Sequence, residues 1–375
     1  MQPVPLRRVQ LLFGLVGVAE AALLPFLPIV LKDRGLSAAQ IGLVLALAAA
    51  MAFVAMPMWG HAADRQLGPE KTIVVAALAA AVAIVPLAVV HGFAGLAVAA
   101  IVVTAARSPF AGLADAVALD HLGADARADY GRVRLWQSVG WAVAACVWGA
   151  ILQTGSLDLL PAIYIPCVLA LAASAAWIGA APILRQRAEA GSRRALLRRL
   201  APFLVSLLLL FSAFSATFSF VSVRIADLGG GLFVVGFATA LQAAAEAPVM
   251  RATPRLTHVL SHRAMYVVGC AFFAVSFAAW AFLDSPVPIA LVKLVAGVGF
   301  ALAYVGSVVV VDDLTPPLLR GTAQGLARAV SFGLAAIVGS LAGGAIYDYA
   351  GPRALFLGCA AAAIVAGGGV WVTTR

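Results

Sequence analysis

The sequence predicts an all-α integral membrane protein with twelve transmembrane helices in two pseudo-symmetric six-helix bundles. Three observations predict it. The 375 residues are 63% hydrophobic and only 11% charged, with a mean hydropathy of +1.04, whereas a soluble domain is about half apolar and a quarter charged. Apolar stretches of about twenty residues, the length that crosses a hydrocarbon core, recur along the whole chain. A weak internal repeat also relates the two halves. "RGLSAAQIGLVLAL" (34–47) aligns with "LGGGLFVVGFATAL" (228–241), so that Gly35 meets Gly229, Gly42 meets Gly236 and Leu47 meets Leu241 at an offset of 194. "SVGWA" and "VWGAI" echo "SFGLA" and "AGGAI" at nearly the same offset. Parallel repeats of this kind are a transporter architecture.

The expected spans are 9–31, 39–61, 72–91, 94–119, 133–154, 159–181, 201–225, 232–253, 264–283, 287–311, 321–346 and 353–373. In lipid every backbone polar group needs a partner within the segment, so each span is helical. None alternates like the strands of a membrane barrel. The first span follows Arg7 and Arg8, is too long for a signal-peptide core and contains Glu20, so it is expected to stay as helix one. Turn residues mark the breaks, among them Asp33-Arg34-Gly35, Gly68-Pro69, Gly229-Gly230-Gly231 and Gly351-Pro352. The longest polar stretch, 182–200, carries six Arg and reads as a cytoplasmic linker between bundles 1–181 and 201–375.

The net charge of +9 reflects membrane orientation rather than nucleic-acid binding. With the N-terminus inside, the inner loops and tails collect about eighteen Lys and Arg and the outer loops about four, which places both termini in the cytoplasm. The localisation expected is the inner membrane of a bacterium. Cys146, Cys167, Cys270 and Cys359 lie apart inside apolar segments, with neither metal-ligand nor disulfide spacing. Lys71-Thr72 follows Glu70 rather than Gly, so there is no P-loop, and no metal, cofactor or hydrolase motif appears. The expectation is a gradient-driven monomer in the bilayer with a small-molecule substrate and protons as partners, and not an enzyme.

Two motifs carry a family resemblance. "GHAADRQLGPEKT" (60–72) resembles the signature loop of the major facilitator superfamily, G-x-x-x-D-R-x-G-R-R/K. Gly60, Asp64, Arg65 and Gly68 match, with one extra residue between Arg65 and Gly68 and only Lys71 for the basic pair. Physically, Gly60 permits close helix approach, and Asp64 can face a helix N-terminus. "SPFAGLADAVALDHLG" with "DYGRVRLWQSVGWA" resembles the branch of phenylpropionate permeases and nucleoside–proton symporter relatives. The matching residues are Ser108, Pro109, Asp115, Asp129, Tyr130, Gly131, Arg132, Arg134, Leu135, Trp136, Ser138 and Gly140, while Gln137 stands where Gly is usual. The resemblance implies the major facilitator fold and alternating access about a midplane site. Asp129, Tyr130 and Gly131 suggest a fixed turn that joins Asp64 and Asp115 in a cytoplasmic gate, with Arg132 and Arg134 as inner anchors.

Charges within spans need reasons, because a mid-membrane ion costs a few kcal/mol. At 1.5 Å per residue, Glu20 lies roughly 17 Å and Arg107 roughly 20 Å deep, so a Glu20–Arg107 pair near mid-membrane is expected beside the substrate. Glu246 and Arg328 are expected to pair on helices eight and eleven. Glu246 is the proton-carrier candidate, and Gln242 lies one turn away. Lys293 either snorkels outward or lines the cavity as a site for an anion. Ser212, Ser215, Thr217 and Ser219 offer hydroxyls, and Phe110, Phe214, Phe218 and Phe300 offer rings for an aromatic solute. Asp312 and Asp313 are gate candidates. The expected function is proton symport of a small organic solute, an aromatic acid or nucleoside-like metabolite. Proton-coupled efflux of hydrophobic compounds stands as the alternative within transport, and a receptor or scaffold as the alternative outside it.

Overall fold

The structure, a computed structural model, describes residues 5–122, 126–179, 193–256, 259–316 and 319–373. Among these, every regular element is helical. Contacts divide the chain into two compact units. Unit 1 holds Met1–Leu36, Leu47–Arg185 and Gly231–Ala243, and unit 2 holds Ser37–Ala46, Gln186–Gly230 and Ala244–Arg375.

Ten described helices are long and apolar enough to cross a membrane. Twelve were expected, and the difference has two physical sources. The first apolar stretch is divided into α1 (Leu6–Ala21) and α2 (Leu27–Asp33), each short by itself. Pro25 lies between them and has no N–H to return to the carbonyl four residues back. The last stretch, Ala323–Val370, runs on for 48 residues, but within α15 (Ala335–Thr373) Gly351 departs from helical geometry at φ 83° and ψ 170°. The two expected spans there follow one another without a loop.

After α3 (Ala38–Ala62) the chain meets the signature motif, where the structure explains the extra residue. α3 runs into a π-helical turn, Ala63–Leu67, closed by Gly68 N–H donating to Ala63 O at 2.9 Å. A π turn spans i to i+5, so it takes up one residue more than an α turn. The insertion therefore widens the helix end and does not lengthen the loop. Gly68 has φ 80°, which other residues rarely adopt, and α4 (Pro69–Ala83) starts immediately after it. Two expectations are corrected here. Gly60 faces open space, since a Cβ would meet nothing within 4 Å. Asp64 and Arg65 are exposed, and the acid in the first turn of α4 is the buried Glu70, where the helix dipole favours it.

The expected third and fourth spans are also broken at prolines. α5 (Pro86–Val89) follows α4, and the fourth span splits into α6 (Gly92–Arg107) and α7 (Phe110–Leu122). Pro109 cannot donate to Ala105 O. That carbonyl instead accepts from Ser108 Oγ at 2.9 Å and Trp59 Nε1 at 3.0 Å, which is how a broken helix keeps its backbone satisfied in lipid. Trp59→Phe is expected to lower the stability of the solubilised protein by about 1 kcal/mol, read as a reduced melting temperature. An unchanged melting temperature would remove the indole from this role.

α8 (Ala126–Thr154) corrects another expectation. Asp129, Tyr130 and Gly131 form no turn; the backbone is already helical from Ala126. Ala and Arg on either side are strong helix formers, and one Gly costs only about 1 kcal/mol. The side chains of Asp129 and Arg132 lie outside the described residues, and Arg134 is half-buried. α8 packs on α1 through glycines. A Cβ on Gly17 or Gly140 would come within 3.0 Å of the facing backbone, the close approach that small residues allow between helices in lipid.

α9 (Leu160–Ile178) completes the run of helices in the first half. The second half comprises α10 (Arg193–Asp227), α11 (Leu232–Leu256), α12 (His262–Phe282), α13 (Pro286–Asp313), α14 (Arg320–Arg328), a π-helical turn Ala329–Leu334, and α15. The internal repeat now has a physical content. In unit 2, Gly42 lies backbone to backbone with Ser340 and Gly344; in unit 1, Gly236 does the same with Ala145 and Gly149. Gly42 and Gly236 are matched positions of the repeat, as are Gly149 and Gly344, so the repeat makes one contact twice. Arg34 and Arg224 tie loops together. Arg34 donates to Ala88 O, Val90 O and Asp158 Oδ1 at 3.1, 3.0 and 2.7 Å, and Arg224 to Asp284 Oδ1 at 2.6 Å.

Candidate functional site

Unit 1 gathers its polar side chains at two helix breaks. Glu20 sits in the last turn of α1 and Arg107 ends α6. Arg107 Nη2 donates to Glu20 Oε1 at 2.9 Å, and both side chains are little exposed, at 13% and 14%. Discontinuous membrane helices are where transporters build ligand sites, since the break frees polar groups at depth. Gln137 on α8 donates from Nε2 to Glu20 Oε2 at 3.4 Å, and the Gly17–Gln137 backbone contact brings the two together. Gln137 was noted in the sequence only as a departure from Gly. Tyr164 on α9 is 1% exposed, and its hydroxyl has no hydrogen-bond partner among the described residues. It was not anticipated, because one Tyr in an apolar span reads as packing.

Unit 2 holds the buried lysine. Lys293 on α13 is 2% exposed, so it does not snorkel. Its Nζ lies 5.3 Å from the centroid of Phe218 on α10 and 5.4 Å from that of Trp280 on α12. Ring faces attract an ammonium by about 0.5–2 kcal/mol, most when it is desolvated. Trp280 Nε1 donates to Ile289 O at 3.0 Å, which fixes that ring. The tight α12–α13 packing follows from Gly269 and Gly306, where a Cβ would strike the facing helix. Glu246 on α11 is half-buried. Arg328, which the sequence sets as the partner of Glu246, lies at the end of α14.

The remaining candidates divide. Gln242 is buried on α11 one turn before Glu246, and Asp115 is half-buried on α7. Phe214, Phe218 and Phe300, proposed to stack on a solute, pack on one another or on neighbours: Phe214 lies 5.0 Å from Phe300 and 6.0 Å from Phe218, centroid to centroid. Phe110 is fully buried. Thr217 Oγ1 donates to Ala213 O of its own helix at 2.9 Å, whereas Ser212 Oγ is buried with no hydrogen-bond partner among the described residues. Asp313 pairs with His262 Nδ1 at 2.7 Å, a partner not foreseen.

Comparison with known proteins decides the family. A sequence profile described as the MFS_1 like family matches residues 11–358. The chain belongs to the MFS_1 like family. It is 30% identical over 346 residues to the maltose permease of Geobacillus stearothermophilus, covering 90% of this chain and 86% of the permease. Among solved structures, the nucleoside transporter NupG, in a mutant form, superposes with a TM-score of 0.85 at 18% identity over 99% of this chain and all of the other. The human organic anion transporter MFSD10 matches with a TM-score of 0.69 at 18% identity over 98% and 99%. At these identities the structural matches show the fold alone. This MFS_1 like protein is thus a multi-pass membrane transporter with a small-molecule substrate, and not an enzyme.

Proposed function

We propose that this transporter is a proton symporter of a small organic solute, working by alternating access as a monomer. In this reading the chain crosses a bacterial inner membrane twelve times, with both termini in the cytoplasm. α1 with α2 counts as one crossing, and α15 divides at Gly351 into the last two. Residues 1–181 and 201–375 are the two six-helix halves and 182–200 the cytoplasmic linker. The observation that carries the proposal is the buried Glu20–Arg107 pair at two coincident helix breaks, since a buried ion pair is costly in lipid and is kept where a solute or ion passes. Lys293, Glu246 and Arg328 form the second charged site, in unit 2, and Gln242 of unit 1 is a separate polar candidate. Gly60, Asp64, Arg65, Gly68, Asp115, Asp129, Arg132 and Arg134 form the cytoplasmic gate. The names of the relatives, a maltose permease and a nucleoside transporter, favour a sugar or nucleoside-like solute over an aromatic acid.

The test is uptake into proteoliposomes under an imposed pH gradient. Accumulation driven by inward proton flow is expected. Movement of solute against that flow would replace symport by export, and solute binding without movement would leave only a receptor. Glu246→Gln is expected to abolish accumulation while solute exchange at equal concentrations persists. Full proton-driven accumulation in Glu246→Gln would end its role as the proton carrier.

A further inference from the structure

Unit 2 has a cavity of about 360 Å³ where the ends of three helices meet. Three charged side chains line it: Arg224 from the last turn of α10, Asp284 just after α12, and Arg353 just after the Gly351 break in α15. Its volume falls within the range of ligand cavities, about 300–1,000 Å³. Arg224 Nη2 donates to Asp284 Oδ1 at 2.6 Å, but Arg224 Nε is buried with no hydrogen-bond partner among the described residues. Roughly nine in ten or more buried polar groups are bonded. Arg353 is exposed, with its guanidinium 4.7 Å from the centroid of the Phe282 ring, and it pairs with no carboxylate among the described residues. Two guanidinium groups against one carboxylate leave the lining with a net positive charge.

Unit 1 supplies a contrast. Arg34 follows the first apolar stretch much as Arg224 ends α10, and it donates to Ala88 O and Val90 O as well as to Asp158 Oδ1. Loop carbonyls there take donors that Arg224 leaves for the cavity. Guanidinium groups grip phosphate through a planar fork of N–H donors, so an anion of that class suits the charged part of the lining. A free anion would leave the rest of the wall wet, because Trp280, Phe282 and Pro352 make it apolar. That apolar surface continues along α12, a candidate membrane span. Val275 lies two turns from Phe282 on the same face, and the two are 63% and 59% exposed. They are about 10 Å apart along the helix, at ~1.5 Å per residue. A ligand with an anionic head and a hydrocarbon tail covers both parts.

We propose that this cavity binds the phosphate of an anionic phospholipid, with Arg224 Nε and the Arg353 guanidinium as donors and the Val275–Phe282 face of α12 against the acyl chain. Asp284 is already bonded to Arg224 and is 85% exposed. A head group with no ammonium beyond its phosphate leaves that bond undisturbed and meets the net positive charge. The lipid serves neither the solute nor the proton. It bridges α10 and the last stretch of α15 at their shared end, and so acts as a structural partner of unit 2.

The experiment uses the purified full-length protein in nanodiscs of phosphatidylcholine alone, or of phosphatidylcholine mixed with phosphatidylethanolamine or with phosphatidylglycerol. Phosphatidylglycerol is expected to raise the melting temperature above that in the other two, and to stay bound in native mass spectrometry. Arg353→Gln removes an exposed guanidinium. It is expected to melt like the wild type in phosphatidylcholine and to lose most of the gain from phosphatidylglycerol. Its affinity for that lipid is expected to fall about tenfold, the size of one charge-assisted hydrogen bond. Arg34→Gln is the control, expected to lower the melting temperature equally in all three lipids and to keep the gain. A gain that survives Arg353→Gln, or that Arg34→Gln also removes, would overturn the site. So would an equal loss in every lipid for Arg353→Gln, which would make that arginine structural. No gain from phosphatidylglycerol, or the same gain from phosphatidylethanolamine, would overturn it too. Inorganic phosphate that raised the melting temperature in phosphatidylcholine, and did so only with Arg353 present, would replace the lipid by a free anion.

Discussion

Arg107→Gln is expected to abolish solute uptake and to cost about 3–5 kcal/mol of stability, the loss measured when one partner of a buried ion pair is removed. The reason is asymmetric. With 13% and 14% of the two side chains exposed, Glu20 would be left as an uncompensated carboxylate deep in the protein, and only Gln137 would still bond it. Glu20→Gln should be damaging in the same way, leaving the guanidinium unpaired. The double variant Glu20→Gln with Arg107→Gln separates folding from function. Two amides can bond to one another without charge, so stability should recover while uptake stays lost. Uptake would be measured in proteoliposomes and stability by thermal unfolding in nanodiscs. Wild-type uptake in the double variant would reduce the pair to a structural one.

Gly17→Val is expected to have the next largest effect, for steric reasons. A Cβ at Gly17 would come within 3.0 Å of the backbone at Gln137 and Trp141, so α1 and α8 would have to separate. Overpacking of this kind costs about 1–3 kcal/mol, and it would also pull Glu20 away from Gln137. Both the melting temperature and uptake should fall steeply. Gly14→Ala is the control on the same face: its Cβ would sit 3.8 Å from Trp136 O, an ordinary contact, and near-normal transport is expected. Equal damage from both substitutions would point to helix propensity rather than to close approach.

How much of this was legible in the sequence depended on which force set each feature. The membrane helices were legible because lipid leaves the backbone no alternative. The Glu20–Arg107 contact was legible because depth along two helices is simple arithmetic from their ends. The turn at Asp129, Tyr130 and Gly131 was misjudged because a charged cluster between apolar runs looks like a loop, whereas helix propensity carries α8 back to Ala126. The place of Lys293 stayed open because depth says nothing about facing. Burial between Phe218 and Trp280 depends on the rotation of α13 and on the glycine-mediated approach of α12. Tyr164 was invisible because nothing in an apolar span tells a packed phenol from one with an unmet hydroxyl. The extra residue before Gly68 looked like a defect in a motif until the π turn gave it a place.

The crossed glycine contacts bear on how the chain is made. Residues 37–46 belong to unit 2 and 231–243 to unit 1, so neither half of the polypeptide contains a finished unit. Gly42 is synthesised about 300 residues before the Gly344 it packs against, which at about 5–20 residues per second is a delay on the order of 15–60 s. Throughout that interval the nascent start of α3 sits in the membrane with a notch of small residues uncovered. The contact between the start of α3 and α15 therefore forms only after residue 344 has been made.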